Sequence, residues 1–251
     1  MNIAVCVKQI PDPATPYSLD EENHWVIRPE DQVLDDTDRS GVEIALQLAE
    51  ATDGTVTLFS MSPSGSLQGI RQALAMGADK AVLIDDETLK GADALTTARV
   101  LAAAMAREGF DLVVAGTEST DGYSGVMPQM MSEILDVPCL SFARKVEVGD
   151  GTVTIERQTA SGYNVVTAPV PALITVTAGI EPRYPTFKGI MQAKSKPVTT
   201  LTAADLGVAI ESGQTIQAVD SVAARAGGSI VEDDGNAFET IIELLEKVKV
   251  I

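Results

Sequence analysis

The stretch AGTESTDGYSGVMP, from Ala115 to Pro128, gathers the residue types that hold a phosphate. It follows an apolar run that reads as a strand and precedes a helix expected to begin near Ser124 or Gly125. Gly116, Gly122 and Gly125 let a backbone approach a ligand closely, and Thr117, Ser119, Thr120 and Ser124 add hydroxyls. Unpaired N–H groups at a helix start attract anions. These residues allow two readings, a phosphate cradle or a flexible loop with a helix cap. A second polar junction, VLDDTDRSG (Val33–Gly41), places Asp35, Asp36 and Asp38 ahead of a helical pattern, where they are expected to cap it rather than act as acid and base. Dinucleotide fingerprint, phosphate-loop and nucleophile-elbow motifs are absent. With His24 the sole histidine, a Ser-His-Asp set is hard to build. A nucleotide is expected to be held here rather than turned over.

Such residues need a scaffold that brings distant loops together. The runs Asn2–Val7, Thr55–Met61, Lys80–Ile84 and Asp111–Gly116 read as buried strands, and Gly41–Ala51, Ser66–Gly77 and Ala92–Glu108 carry helical periodicity. The alternation predicts an α/β fold, a Rossmann-like parallel sheet with helices on both faces. Ligands in such sheets bind beyond the carboxyl ends of the strands, which selects the junctions Val7–Pro13, Val33–Gly41, Ser60–Ser66 and Ala115–Pro128. The insertion Lys8–Val33 breaks the rhythm and predicts a loop with a short hairpin. After residue 135, short runs including PCLSFARKVEV, TVTIERQ, YNVVTA and PALITVTA predict an antiparallel extension. Beyond Pro197 the chain is polar and glycine-rich until a helix with Phe238, Ile241, Ile242, Leu245 and Val248 on one face. The expected division is a nucleotide-binding α/β domain at 1–197 and a C-terminal arm and helix at 198–251. The pattern leaves open whether the arm folds back or reaches another chain.

Composition narrows the class. A hydrophobic content of 45% with 22% charged residues is globular, and 4% aromatics suits α/β better than an all-β sandwich. A net charge of -18 argues against nucleic acid and anionic membranes as general partners. No apolar stretch approaches the roughly 20 residues that span a bilayer. Cys6 lies in an apolar run, Cys139 has no metal-spaced neighbour, and His24 sits in a polar stretch, so no metal is expected. The opening passes at once into a strand-like run, so no targeting segment is expected. A reducing, cytoplasmic setting is the expectation.

Against this acidic background, EPRYPTFKGIMQAKSKP (Glu181–Pro197) holds no acid after its first residue. Arg183, Lys188, Lys194 and Lys196 alternate with Tyr184, Phe187, Ile190 and Met191, and Pro182 and Pro185 stiffen the backbone. In one reading the apolar residues pack on the domain's own core and the bases keep the segment soluble. Phe187, with a base beside it and a helix start behind it, fits that reading least.

Together these segments resemble the beta subunit of electron-transfer flavoprotein. VCVKQIPD is similar to that family's first strand and loop, and IRQALAMGADKAVLI (Ile70–Ile84) to its second helix and third strand. DLVVAGTESTDG (Asp111–Gly122) falls at its nucleotide loop, EPRYPTFKGIMQAKSKP at its signature, and LTAADLGV (Leu201–Val208) follows. The STDG form looks like an actinobacterial-type variant. The resemblance implies an electron carrier without substrate turnover of its own, the small subunit of a heterodimer. Its larger alpha subunit would hold most of an FAD, and this chain a structural AMP. Electrons would come from dehydrogenases, chiefly acyl-CoA dehydrogenases, and pass to a membrane quinone oxidoreductase. The AMP contacts implied are Cys6, Asp35, Asp36, Thr37, Asp38, Met61 and the loop Gly116, Thr117, Glu118, Ser119, Thr120, Asp121, Gly122, Tyr123, Ser124, Gly125, Val126 and Met127. Arg183, Tyr184, Phe187, Ile190 and Met191 would form a partner-docking loop, with Phe187 plugging a pocket on the dehydrogenase. Some relatives carry a second FAD in place of AMP and bifurcate electrons.

This chain departs from the resembled pattern at Thr117 and Glu118, where many members have Lys-Gln, and at Asp35 and Asp36, where many have Asn-Pro. Gln158 stands where a glutamate is thought to pair with the flavin domain. A competing class, a stand-alone universal-stress-like nucleotide-binding domain, has no use for the basic segment or the long arm. An ATP pyrophosphatase would want a Ser/Gly-rich loop after the first strand, where this chain has KQIPDP.

Overall fold

The chain opens with β1 (Asn2–Cys6), buried after its first residue. In the insertion, β2 (Gln9–Ile10) pairs with β5 (Val33–Leu34), and between them β3 (Leu19–Asp20) and β4 (Trp25–Val26) make the expected hairpin. Then follow α1 (Asp36–Thr52), β6 (Thr55–Met61), α2 (Gln68–Met76), β7 (Lys80–Ile84), α3 (Ala94–Glu108) and β8 (Leu112–Gly116). Beyond them lie α4 (Met127–Leu135), β9 (Cys139–Gly149), β10 (Thr152–Thr159), β11 (Gly162–Pro169), β12 (Ala172–Val176), α5 (Phe187–Ala193), β13 (Val198–Leu201) and α6 (Ala237–Lys247). These elements come from a computed structural model that describes residues 1–251 except 64, 178, 221–226, 229 and 234. The junction read at Ser60–Ser66 and the arm read at 198–251 each lie partly outside the described residues.

Nine strands form one mixed, mostly parallel sheet in the order β11-β10-β9-β12-β8-β1-β6-β7-β13. Beside it stand the two small antiparallel pairs of the insertion. One face of the large sheet packs against α1 and α2 through Val5, Val42, Leu58, Ile70 and Leu74. The other packs against α3 and α4 through Cys6, Phe59, Val100, Met105 and Met131. This is the Rossmann-like α/β class expected from the alternation of periods.

The structure departs from expectation at three elements, each for a physical reason. α1 begins at Asp36 rather than Gly41, because Asp35 caps it by accepting from Thr37 N. β12 was expected within an antiparallel extension, yet it pairs parallel with both β8 and β9. All five of its residues are buried, as a strand covered on both faces requires. The antiparallel extension itself is β9, β10 and β11.

The third is β13, which lies in what read as a thin arm but adds a parallel edge strand to β7, Val198 opposite Ala81. The described chain accordingly divides into units Met1–Val219 and Asp220–Ile251, later than the expected boundary after residue 197. Thr96 Oγ1 donates to Glu211 O and Asp93 Oδ2 accepts from Gly213 N, which holds residues 211–213 against the start of α3. Within the second unit, α6 buries none of its residues, and Phe238, Ile241, Ile242 and Val248 are exposed. Among the described residues no helix is long and apolar enough to cross a membrane.

The link from β12 to β13 is a long crossover. It leaves the middle of the sheet and returns at the far edge, running over α1 and α2 on the way. The basic, acid-free segment lies on this crossover.

Candidate functional site

β1 has β6 on one side and β8 on the other. The chain leaves β1 toward β6, so the carboxyl ends of β1 and β8 flank the point where strand order reverses. A crevice opens there in sheets of this kind. Three chain segments converge on it: the residues after β1, the start of α1 and the loop after β8.

Carboxylates stitch these segments together. Asp38 Oδ2 accepts from Lys8 N at 2.6 Å, and the Gly116 N–H donates to the same carboxyl. Asp35 Oδ1 accepts from Thr37 N at 3.0 Å, while its Oδ2 accepts from Thr120 N at 2.8 Å and Thr120 Oγ1 at 3.0 Å. Asp121 binds Lys8 Nζ at 2.7 Å and the Arg28 guanidinium, and Lys8 Nζ also donates to Ser119 Oγ at 3.3 Å. Gly116 is needed where it stands, since a Cβ there would lie 2.8 Å from Asp38 Oδ1.

Electrostatics differ among the three acids. Burial, then the Asp35 carboxylate, pushes Asp38 well above the carboxylate range, against the opposing pull of the Lys8 and Gly116 amides and the Lys8 charge. Burial also raises the Cys6 thiol, helped by Asp38, so Cys6 is an inert packing group rather than a nucleophile. Burial tends to raise Asp121, but Lys8 and Arg28 outweigh it and hold the acid below its ordinary range. Tyr17, on the insertion, is raised by burial and by the nearby Asp121, Asp35 and Tyr123.

The loop after β8 has the form of a cradle. Among the described residues, the amides of Gly122, Ser124 and Gly125 donate to no protein acceptor. Tyr123 (φ 48°) and Gly125 (φ 63°) turn the backbone through left-handed conformations. A Cβ on Gly122 would crowd Ser119 Oγ at 3.1 Å, and α4 starts directly behind with Pro128 in its first turn. Free amides, a hydroxyl and the Lys8 ammonium suit a phosphate. Glu118 does not: its Oε2 lies 3.2 Å from where a Cβ on Gly125 would be. The anion-compatible wall is therefore the Ser119–Gly122 side.

Of the expected site residues, the structure brings together Asp35, Thr37, Asp38, Gly116 and the residues from Glu118 to Gly125. Cys6 belongs to the core beneath them, with Met61 and Met127 packed against it. Thr117 turns away, its N–H and Oγ1 both donating to Val176 O. Asp36 stands apart, its side chain 85% exposed beside Arg39. Val126 and Tyr123 are exposed at the rim. Sequence reading missed Lys8 and Arg28. Their signal was there: bases in an acidic chain, one directly after a strand and one in the insertion that folds over it. Among the described residues no group of His, Cys, Asp and Glu is placed to hold a metal ion.

The second expected site lies on the crossover. Tyr184 and Phe187 are 82% and 80% exposed, and Ile190 and Met191 are exposed too. The bases divide into two pairs. Lys188 and Lys194 are exposed as expected, but Arg183 is bound by Glu43 and Glu50, and Lys196 Nζ donates to Leu74 O, Gly77 O and Ala78 O. Those last two hold structure together rather than keep the segment soluble.

Fold and site define a doubly wound α/β protein whose polar loops meet at the switch point of its sheet. Residues 24–206 match the family described as electron transfer flavoprotein domain. Electron transfer flavoprotein subunit beta of Mycobacterium tuberculosis (strain H37Rv) is 39% identical, the alignment covering 100% of this chain and 99% of the relative. The Megasphaera elsdenii protein of the same name is 34% identical, covering 99% and 98%. The caffeyl-CoA reductase-Etf complex subunit CarD of Acetobacterium woodii is 32% identical over 84% of this chain and 82% of its own. This chain belongs to the electron transfer flavoprotein beta subunit family, and its function is electron transfer.

The Asp121 bridge gives a pH prediction. Its folded pKa lies below the ordinary 3.8, so its stabilisation is fully present above that value and is lost as pH falls through the folded pKa. Asp121→Asn is expected to lower stability at pH 7 by about 1 kcal/mol, a modest figure because Lys8 and Arg28 are partly solvated. Urea unfolding from pH 7 to pH 2 should show the difference between parent and variant closing only in the acid range. A constant difference would mean the bridge contributes nothing electrostatic.

Proposed function

We propose that this chain is the small subunit of a heterodimeric electron carrier. It docks a dehydrogenase through the exposed Tyr184–Met191 face, with Phe187 as the plug, and holds one structural AMP in the loop after β8. Electrons come from acyl-CoA or related dehydrogenases and pass to a quinone oxidoreductase. An FAD held mainly by the alpha subunit supplies the redox chemistry. This chain's residues bind, orient and exclude water. Lys8, Ser119 and the amide of Gly122 would hold the AMP phosphate, and Cys6, Met61 and Met127 would line the apolar floor. The apolar stripe of α6 is a contact for the alpha subunit.

The observation that carries the reading is the exposure of Tyr184 and Phe187, in a chain of the electron transfer flavoprotein family, on a segment tied to its own domain. Two large aromatics held in water form a docking hot spot. One such anchor gives attachment without a large interface, so release stays fast, as a shuttle needs.

The docking arm of this proposal is tested by Phe187→Ala in the purified heterodimer. The KM for the shuttle in an acyl-CoA dehydrogenase-coupled assay should rise by an amount equivalent to about 1–2 kcal/mol. Normal coupling with several dehydrogenases would return the segment to a purely structural role.

The nucleotide arm is tested by Gly125→Val, which forces a β-branched residue to φ 63° and closes the cradle. The variant should release no nucleotide on denaturation, and its melting temperature should fall to that of nucleotide-stripped parent, a loss of about 3 kcal/mol where ligand stood at a hundred times Kd. The mass of the nucleotide released from the parent decides between AMP and a second FAD. Retained nucleotide in the variant would place the site elsewhere. Deleting residues 236–251 should weaken alpha-subunit association in a titration, and undiminished affinity would remove α6 from the interface.

A further inference from the structure

The crossover is tied to the helices beneath it at both ends and in the middle. At its start, Ser40 Oγ donates to Ile180 O at 3.1 Å. Glu43 Oε2 accepts from Arg183 N at 3.0 Å and from Arg183 Nε at 2.8 Å, and Glu50 Oε2 accepts from Arg183 Nη2 at 3.2 Å. Ser40, Glu43 and Glu50 recur at spacings that place them along one side of α1. Gln47 Nε2 donates to Glu43 Oε1 at 2.8 Å and fixes that carboxylate, which is buried, while Glu50 is exposed. At the far end, Lys196 Nζ donates to Leu74 O in the last turn of α2 and to Gly77 O and Ala78 O just beyond it, and Arg71 Nη1 donates back to Lys196 O at 3.1 Å. Between them Gly189 presses on α2 so closely that a Cβ would stand 2.5 Å from Ala75 O. Thr186 Oγ1 caps α5 by accepting from Gly189 N at 3.0 Å.

This is far more restraint than a surface connection needs, and it is applied to a segment whose large apolar residues face water. A segment that served only to close the domain would bury Tyr184 and Phe187 and leave its charges outside. Here the arrangement is inverted, with anchoring charges inward and aromatics outward. An anchor already held in its bound conformation does not have to be ordered when the partner arrives, which is where much of the loss in binding lies.

We infer that Glu43 and Glu50 are positioning residues for docking, acting through the Arg183 guanidinium to present Phe187 and Tyr184 preorganised to a dehydrogenase. The inference rests on the docking reading above and adds to it a specific device. Arg183, expected as a contact with the partner, is in this arrangement the handle by which α1 grips the segment. Two carboxylates on one planar fork also demand arginine, since a lysine ammonium cannot span both.

The test uses the heterodimer with its alpha subunit and three variants, Arg183→Met, Arg183→Lys and Glu50→Gln. Amide hydrogen exchange is read separately for residues 184–193 and for the sheet strands. Arg183→Met should speed exchange in 184–193 by about tenfold, with the sheet unchanged, as expected when a charge-assisted anchor is lost. In the coupled assay with acyl-CoA dehydrogenase, KM should rise about fivefold while kcat holds, in line with an ordering penalty. Arg183→Lys should recover part of both effects. Glu50→Gln removes an exposed carboxylate that no core packing needs, so it should give a smaller change of the same kind even if Arg183→Met unfolds. Unchanged exchange in 184–193 for all three variants overturns the inference. So does faster exchange with unaltered KM, and Phe187→Ala then separates the cases. If that substitution still raises KM, docking stands and the anchor is irrelevant to it. If it too leaves KM unaltered, the docking reading has failed as well.

Discussion

Everything at the carboxyl end of this sheet depends on carboxylates buried at the start of one helix. Asp35 and Asp38 sit at the first turn of α1, and between them they accept backbone N–H groups from the segment after β1, the end of β8 and the loop beyond it. Loops carry unsatisfied amides, and here acidic side chains supply the missing acceptors. The cost is two like charges close together out of water, and it appears as the raised pKa of Asp38. A helix start tolerates this better than other places, because its own amides and dipole favour negative charge. The same helix grips the crossover from its middle, so α1 is a common support for the loop after β8 and for the basic segment.

Much of this was legible in the sequence, and the legible parts share a cause. β6 and β7 match their apolar runs to the residue, and the insertion carries the short hairpin expected of it. Local periodicity encodes such elements. What stayed hidden was non-local. Nothing in PALITVTA tells a strand that it will lie between β8 and β9, although its largely apolar character, without strict alternation, was the available hint. VTTL looked like the beginning of an arm because an edge strand with polar residues resembles a loop.

At the candidate site, residue types were read more reliably than partnerships. The loop after β8 was recognisable from its glycines and hydroxyls. The pairing of Asp121 with Lys8 and Arg28 was not, since it joins residues about a hundred positions apart. The basic segment teaches the same lesson. Four bases looked equivalent on the page, yet two of them are internal fasteners and two face solvent. The difference lies in Glu43, Glu50 and the carbonyls of Leu74, Gly77 and Ala78 at and just past the end of α2, none of which is near the segment in sequence.

The crossover has a further consequence, for folding. Its two ends are clamped only when β12 has been inserted in the middle of the sheet and β13 has been laid beside β7, Leu201 opposite Ile84. Pairings between strands so far apart in the chain are late events, because loop closure precedes their reward. A nascent or damaged chain that has not completed the sheet therefore has no rigid aromatic face to offer. The exposed aromatic face is thereby a mark of completed folding: it is held in one place only where the far sheet edge has been laid down.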